Sequence, residues 1–392
     1  MGKIIYLDHA ATTYLDPKVK KAMEPYEREC YGNPNSVHSA GRKMLLAVDQ
    51  ARKNVADFLN CTTREIVFTS GATESNNFAL RGVIKAYQAN GVKNPEIITT
   101  PIEHPSIFKT CQDLKKDGVG IKYLPIDQEG IINLKSLFKL VSSATVLVTV
   151  MYVNNEIGTI EPIREIGKII KKINETRKLP IIFHTDGVQA AQYLTCDVDY
   201  LHVDLLSLSG HKVHGPQGIG ALYVRKNTPL KAIQTGGDQE YGLRAGTLNV
   251  AGIVGFSKAL EIASRSKSEN ANKISRARDW MIKKLIAEIP NIRIIGPQGN
   301  KRIPSNIYFR ARGILGSDVV FMMDNNAKIA ISTGSACSAG AAEPSLVLLA
   351  LGLDAQKAKE GVRVTLDKNN TPLELKVFIN SLKKIIKEIG SQ

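Results

Sequence analysis

Short apolar runs alternate along this chain with segments whose apolar residues recur at helical spacing, the pattern of a sheet layered with helices. Strands are predicted at 66–69, 97–100, 146–150, 181–184, 205–208 and 220–224, and helices near 74–90, 105–116, 162–177 and 187–193. These make one large α/β unit. Beyond residue 258 the pattern changes to charged helices around 270–288 and 372–389 that flank short strands near 292–295, 305–309 and 362–366, a smaller α+β unit. In the last helix Phe378, Leu382, Ile385 and Ile389 share one face, which should lie on that smaller unit. The expected organisation is an N-terminal segment (1–15) packing with the small domain, a large domain (16–258) and a small C-terminal domain (259–392).

A chain of 392 residues, 43% apolar and 23% charged, excludes a small stapled scaffold as well as disordered and fibrous architectures. The formal net charge of +15 draws anionic ligands and acidic partners, and by itself does not establish nucleic-acid binding. The apolar run in MGKIIYLDHAATT is too short for a signal peptide, and ATVLVTVMYV stops at the polar NNE, well short of the roughly 20 apolar residues that cross a bilayer. The expectation is a cytoplasmic protein without membrane contact. Cys30, Cys61, Cys111, Cys196 and Cys337 are widely spaced with no C-x-x-C pair, so a functional cysteine acts singly.

Three segments carry chemistry. In TSGATES (69–75) a strand ends in a turn at Gly71 and a helix follows, so the N–H groups of Ala72 and Thr73 point at an anion such as a phosphate. A plain helix cap by Ser70 or Thr73 reads the same residues equally well. In SLSGHKVHGPQGIGALYV (207–224) Lys212 follows a strand inside a Ser-Gly-His turn, the rigid, partly desolvated setting that a Schiff-base lysine needs, with Ser209 and His211 near a phosphate. The pair His211 and His214 also suggests a metal site, without a helix to align the rings or a nearby carboxylate. In HTDGVQA (184–190) Asp186 stands at the carboxyl end of a strand, where it can pair with a pyridinium nitrogen or cap a helix.

Together these residues resemble the fold-type I pyridoxal-phosphate enzymes. Further motifs narrow the likeness to the cysteine desulfurases of the class V aminotransferase family: LDHAATT (7–13), GNPNSVHSAG (32–41), FTSGATESNN (68–77), EHPS (103–106), VNNEIGTI (153–160), TDGVQ (185–189), RAGTLN (244–249), STGSACSAGAAEPS (332–345) and GVRVTL (361–366), in that family's order. The resemblance implies a large, mostly parallel mixed sheet layered by helices and a smaller α+β C-terminal domain. It implies pyridoxal 5′-phosphate on Lys212, Asp186 at the ring nitrogen, Gln189 and Asn155 at the ring oxygen, and His104 stacked on the ring and moving protons. Phosphate would be held by Ala72, Thr73, Ser209 and His211, with Thr247 arriving from the second subunit of a homodimer. Arg363 and Asn155 would clamp the substrate carboxylate.

Cys337, bracketed by Gly334 and Gly340 and by small residues, lies in what resembles the long mobile loop of one desulfurase group. The implied reaction turns L-cysteine into L-alanine and leaves the sulfur on Cys337 as a persulfide. From there it passes to an iron–sulfur scaffold or a sulfur-carrier protein, for cluster assembly or tRNA thiolation. No resident metal is implied, Cys337 being the one residue placed to ligate an iron–sulfur cluster in transit, and no direct nucleic-acid contact. The alternative is a selenocysteine lyase or related class V aminotransferase. One departure from the family pattern is the run Arg363-Val364-Thr365-Leu366-Asp367, where relatives often carry Gly after a Ser-Leu.

Overall fold

The computed structural model describes residues 4–334 and 343–389. A seven-stranded sheet forms its centre, in the spatial order Ile66–Thr69, Gly220–Val224, Leu205–Ser209, Ile182–Asp186, Thr145–Thr149, Glu96–Thr99 and Gly120–Tyr123. Gly220–Val224 runs antiparallel to both neighbours and the other pairs are parallel. All six strands read from the sequence are present, shifted by at most two residues at an end. The four from Gly220–Val224 across to Thr145–Thr149 are buried along their whole length because helices cover both faces, which is why they read as unbroken apolar runs.

Toward the C-terminus a three-stranded antiparallel sheet orders Gly361–Thr365, Asn306–Ala311 and Ile292–Ile294, and the helix Pro372–Ile389 buries Phe378, Leu382 and Ile385 against its core. The N-terminal strand Ile5–Tyr6 pairs in parallel with Ile329–Ala330, and Leu7 lies in this second core. Among the described residues no helix is long and apolar enough to cross a membrane.

Two elements differ from expectation. Residues 187–193 form successive turns and not a helix, because the Val188 N–H goes to Asp186 Oδ1 and the Gln189 and Gln192 side chains reach out to Ala10 and Lys212 carbonyls. The charged helix expected at 270–288 starts instead at Val250, where Asn249 Oδ1 caps the Gly252 N–H at 3.0 Å, and runs 39 residues to Glu288. Its first half packs Ile253, Phe256 and Leu260 into the core under the large sheet. Its second half packs Ile274, Met281 and Leu285 into the other core. Residue 258 thus falls inside one continuous helix.

The strand Ile66–Thr69 lies at the sheet edge, yet two of its outward groups are paired by side chains. Arg52 Nη1 donates to the Ile66 carbonyl at 2.7 Å, and the Phe68 N–H donates to Glu240 Oε2 at 2.6 Å. Arg52 and Glu240 also grip each other in a two-point ion pair. Two side chains stand where the backbone of a further strand would.

Candidate active site

Five segments leaving the large sheet converge at the carboxyl ends of its parallel strands, the usual ligand crevice of such sheets. They enclose a cleft of about 620 Å³. Of the residues expected from sequence, Ala72, Thr73, His104, Asn155, Asp186, Gln189, Ser209, His211, Lys212 and Arg363 all line it. Thr247 does not; it is exposed on the segment leading into the long helix. Cys337 lies outside the described residues.

One end of the cleft is an anion cradle. Gly71, at φ +150°, lets the chain turn from Thr69 into the helix Ala72–Ala89, and no side chain among the described residues caps that helix's first N–H groups. A Cβ on Gly220 would stand 2.8 Å from Gly71 Cα, so the close approach of the two backbones needs glycine. Ser209 ends the neighbouring strand and lines the same end. Glu74, in the helix's first turn, accepts from the Ser70 N–H at 2.7 Å and pairs with Arg244 at 2.7 Å, which ties the segment carrying Thr247 to the cradle.

Lys212 sits in a single helical turn, Gly210–Lys212, and donates from Nζ to the carbonyls of Ala10 at 2.5 Å and Ala11 at 2.6 Å. The N-terminal segment is sewn to this turn: Thr13 Oγ1 donates to the His211 carbonyl at 2.9 Å and accepts from the His214 N–H at 2.8 Å. His211 Nδ1 meets Thr12 Oγ1 at 3.1 Å, and burial, with Lys212 beside it, pushes the ring down to about 4. The His211 and His214 rings do not converge as a metal pair, since His214 Nε2 lies 3.0 Å from Asp367 Oδ2. Among the described residues no group of three His, Cys, Asp or Glu side chains could hold a metal ion.

Asp186 is 6% exposed, and its carboxylate accepts from the Val188 N–H at 3.0 Å and from Asn76 Nδ2 at 2.7 Å. His104 caps the helix Pro105–Lys116 through Nδ1, which accepts from the Ser106 N–H at 3.1 Å and lies 2.7 Å from Ser106 Oγ. Burial holds the ring below the ordinary imidazole value and Lys212 adds to this, while Asp186 works against it. At the far side Arg363, 3% exposed, donates to the Asn155 carbonyl at 2.9 Å and to Asp8 Oδ1 at 2.8 Å. Its buried Nε has no partner among the described residues.

The donor set suits pyridoxal 5′-phosphate: uncapped helix N–H groups for the phosphate, a carboxylate acceptor for a protonated ring nitrogen, and a lysine amine for the aldehyde. Sequence reasoning missed Asn76, Ser106 and Asp8, which hold Asp186, His104 and Arg363. They sit inside the quoted motifs FTSGATESNN, EHPS and LDHAATT, but their partners lie 110, 2 and 355 residues away. Ser106 alone was within reach of local inspection.

The sequence profile of the aminotransferase class-V family matches residues 5–378. Over 389 residues the chain is 42% identical to a cysteine desulfurase IscS of Clostridium botulinum, covering 99% of this chain and 96% of that protein. It is 39% identical to a cysteine desulfurase IscS of Methanosarcina thermophila, with 99% and 93% covered. The solved structure of a NifS-like protein superposes with a TM-score of 0.90 at 36% identity, over 100% of both chains.

Proposed function

The chain belongs to the class V aminotransferase family, among its cysteine desulfurases, and from that membership we propose how its residues divide the work of moving sulfur from L-cysteine to an acceptor. Enzymes of this family use pyridoxal 5′-phosphate, which when bound supplies an electron sink for the substrate α-carbon. Lys212 would hold it covalently, Ala72, Thr73, Ser209 and His211 its phosphate, Asp186 its ring nitrogen, and Gln189 and Asn155 its ring oxygen. The observation that supports this reading is that these residues, drawn from motifs far apart in the sequence, converge in one cleft at the strand ends.

Arg363 takes the substrate carboxylate through guanidinium donors that Asp8 and Asn155 leave uncommitted. Lys212 Nζ takes the α-proton, its amine being pre-aligned by the Ala10 and Ala11 carbonyls. The Cys337 thiolate attacks the substrate sulfur: an S–S bond forms, the C–S bond breaks, and its electron pair stays with carbon, which gains a proton to become L-alanine. The persulfide on Cys337 then supplies an iron–sulfur scaffold or sulfur carrier. Thr247, exposed and tethered through Arg244 to Glu74, reaches the phosphate of a second copy in a homodimer.

The test is Cys337→Ser. The variant should keep the yellow cofactor band and lose alanine production from L-cysteine to near background, while mass spectrometry of wild type after brief exposure to L-cysteine finds one added sulfur on the Cys337 peptide. Alanine formed at the wild-type rate by the variant, or added sulfur on another cysteine, sinks the mechanism. Colourless protein that cannot be reconstituted with pyridoxal phosphate sinks the cofactor assignment.

A further inference from the structure

Behind the cleft wall a chain of buried polar side chains joins Asp186 to His104. Asn76, fully buried on the second turn of the helix Ala72–Ala89, places its amide nitrogen 2.7 Å from Asp186 Oδ2 and 2.8 Å from Ser106 Oγ. Ser106 Oγ in turn lies 2.7 Å from His104 Nδ1. Thr110 Oγ1 lies 2.7 Å from the Ser106 carbonyl and 3.0 Å from Asn77 Oδ1, its single hydrogen shared between the two acceptors, which pins the two helices together.

The donors in this chain can be assigned. Turning the Asn76 amide over would set its oxygen 2.7 Å from the Asp186 carboxylate, two acceptors face to face, so the NH2 group faces Asp186 and Ser106. That orientation holds although it leaves Asn76 Oδ1 buried with no partner among the described residues. Ser106 Oγ accepts from Asn76. His104 Nδ1 already accepts from the Ser106 N–H, so it carries no proton, and the nearby Ser106 hydroxyl gives its hydrogen to it as well.

We propose that Asn76 and Ser106 are positioning residues that lock His104 in the neutral tautomer carrying its proton on Nε2, so that the ring presents that N–H to the cleft as a fixed hydrogen-bond donor. A proton arriving at Nδ1 would meet two donors and no acceptor. The Ser106 N–H cannot reverse, and with Asn76 donating to the Ser106 hydroxyl, accepting from Nδ1 as well would leave that hydroxyl's own hydrogen without an acceptor among the described residues. The charged groups acting on the ring are Asp186, which favours the imidazolium, and Lys212, which opposes it. This rests on the proposed function for what the cleft binds, but the hydrogen-bond chain itself belongs to the protein.

The experiment is long-range 1H–15N NMR of holoenzyme labelled at its seven histidines, with His104 assigned by its loss in His104→Gln, repeated on cofactor-free protein. Wild type should show an unprotonated Nδ1 and a protonated Nε2 that persist through the pH range of activity. Ser106→Ala removes the hydroxyl donor and should raise the His104 titration midpoint by about one pH unit, and Asn76→Ala should move it the same way by freeing the hydroxyl to accept. Ser106→Thr, which keeps the hydroxyl, should restore the wild-type value. A wild-type ring protonated on Nδ1, or a midpoint that Ser106→Ala leaves unmoved, overturns the proposal. Failure to bind pyridoxal phosphate overturns the proposed function, whereas the spectrum of cofactor-free protein tests the tautomer independently of it.

Discussion

Arg363 is gripped from two sides, by the Asp8 carboxylate and the Asn155 carbonyl, so the plane of its guanidinium is set by the protein. A planar fork held this way gives a carboxylate two parallel hydrogen bonds, whereas a lysine at the same place offers a single point charge on a flexible stem. Arg363→Lys should therefore lower kcat/KM for L-cysteine by about 10- to 100-fold, mostly through KM, because the lost contact is made in the bound substrate as well as in the transition state. Steady-state kinetics decides it: a loss confined to kcat would mean that the residue acts on the chemical step and not on substrate binding. Sequence inspection could pick out Arg363 only by likeness to a family. By itself an arginine in a short strand reads as a surface charge, and the burial that makes it informative comes from Asp8, which is brought to it by the pairing of the chain's first strand with Ile329–Ala330.

Among elements, the edge of the large sheet shows what a pair of side chains can replace. Glu240 and Tyr241 both adopt positive φ, +47° and +62°, which costs backbone energy and turns the Glu240 carboxylate onto Phe68 N–H and Arg52. Glu240→Ala should cost about 3–5 kcal/mol, since it strands a buried guanidinium and a strand N–H at once. Equilibrium urea unfolding of the variant measures this, and a loss under about 1 kcal/mol would show that the pair does not hold the edge. The central strands were legible in the sequence because burial on both faces writes them as apolar runs. The turns at 187–193 were not, because Gln189 and Gln192 are drawn away from a helical path by carbonyls of distant segments. The start of the long helix was hidden too, since two different cores claim its two halves and blur a single periodicity. The cleft was legible where one motif carries one role, as at Lys212 and Asp186, and illegible where a role is shared across the fold, as in the Asn76–Ser106 chain.

For the whole molecule, the buried titrating groups set how stability responds to pH, and they pull in opposite directions. Glu103, whose Oε1 accepts from Thr100 and Met151, and Glu161, which accepts from the Ile132 N–H, are each pushed by burial up to about 8. A carboxyl raised above its ordinary 4.5 keeps in the folded state a proton that the unfolded chain has released, so its contribution is complete below about pH 4.5 and is lost as pH rises through about 8. His184 and His211 are pushed by burial down to about 3 and about 4, so their contribution is present above 6.5 and is lost as pH falls through those values. Between about pH 4.5 and 6.5 the two sets oppose each other, and from 6.5 to 8 only the carboxyls of these four groups act. Unfolding free energy of the holoenzyme should therefore decline across that upper interval. In Glu103→Gln with Glu161→Gln the slope should flatten, because an amide fills the same space, keeps an acceptor oxygen and cannot ionise. Urea unfolding at closely spaced pH values reads the slope directly, and a wild-type stability that rises across the interval, or a double variant with an unchanged slope, would show that these two carboxyls do not govern it.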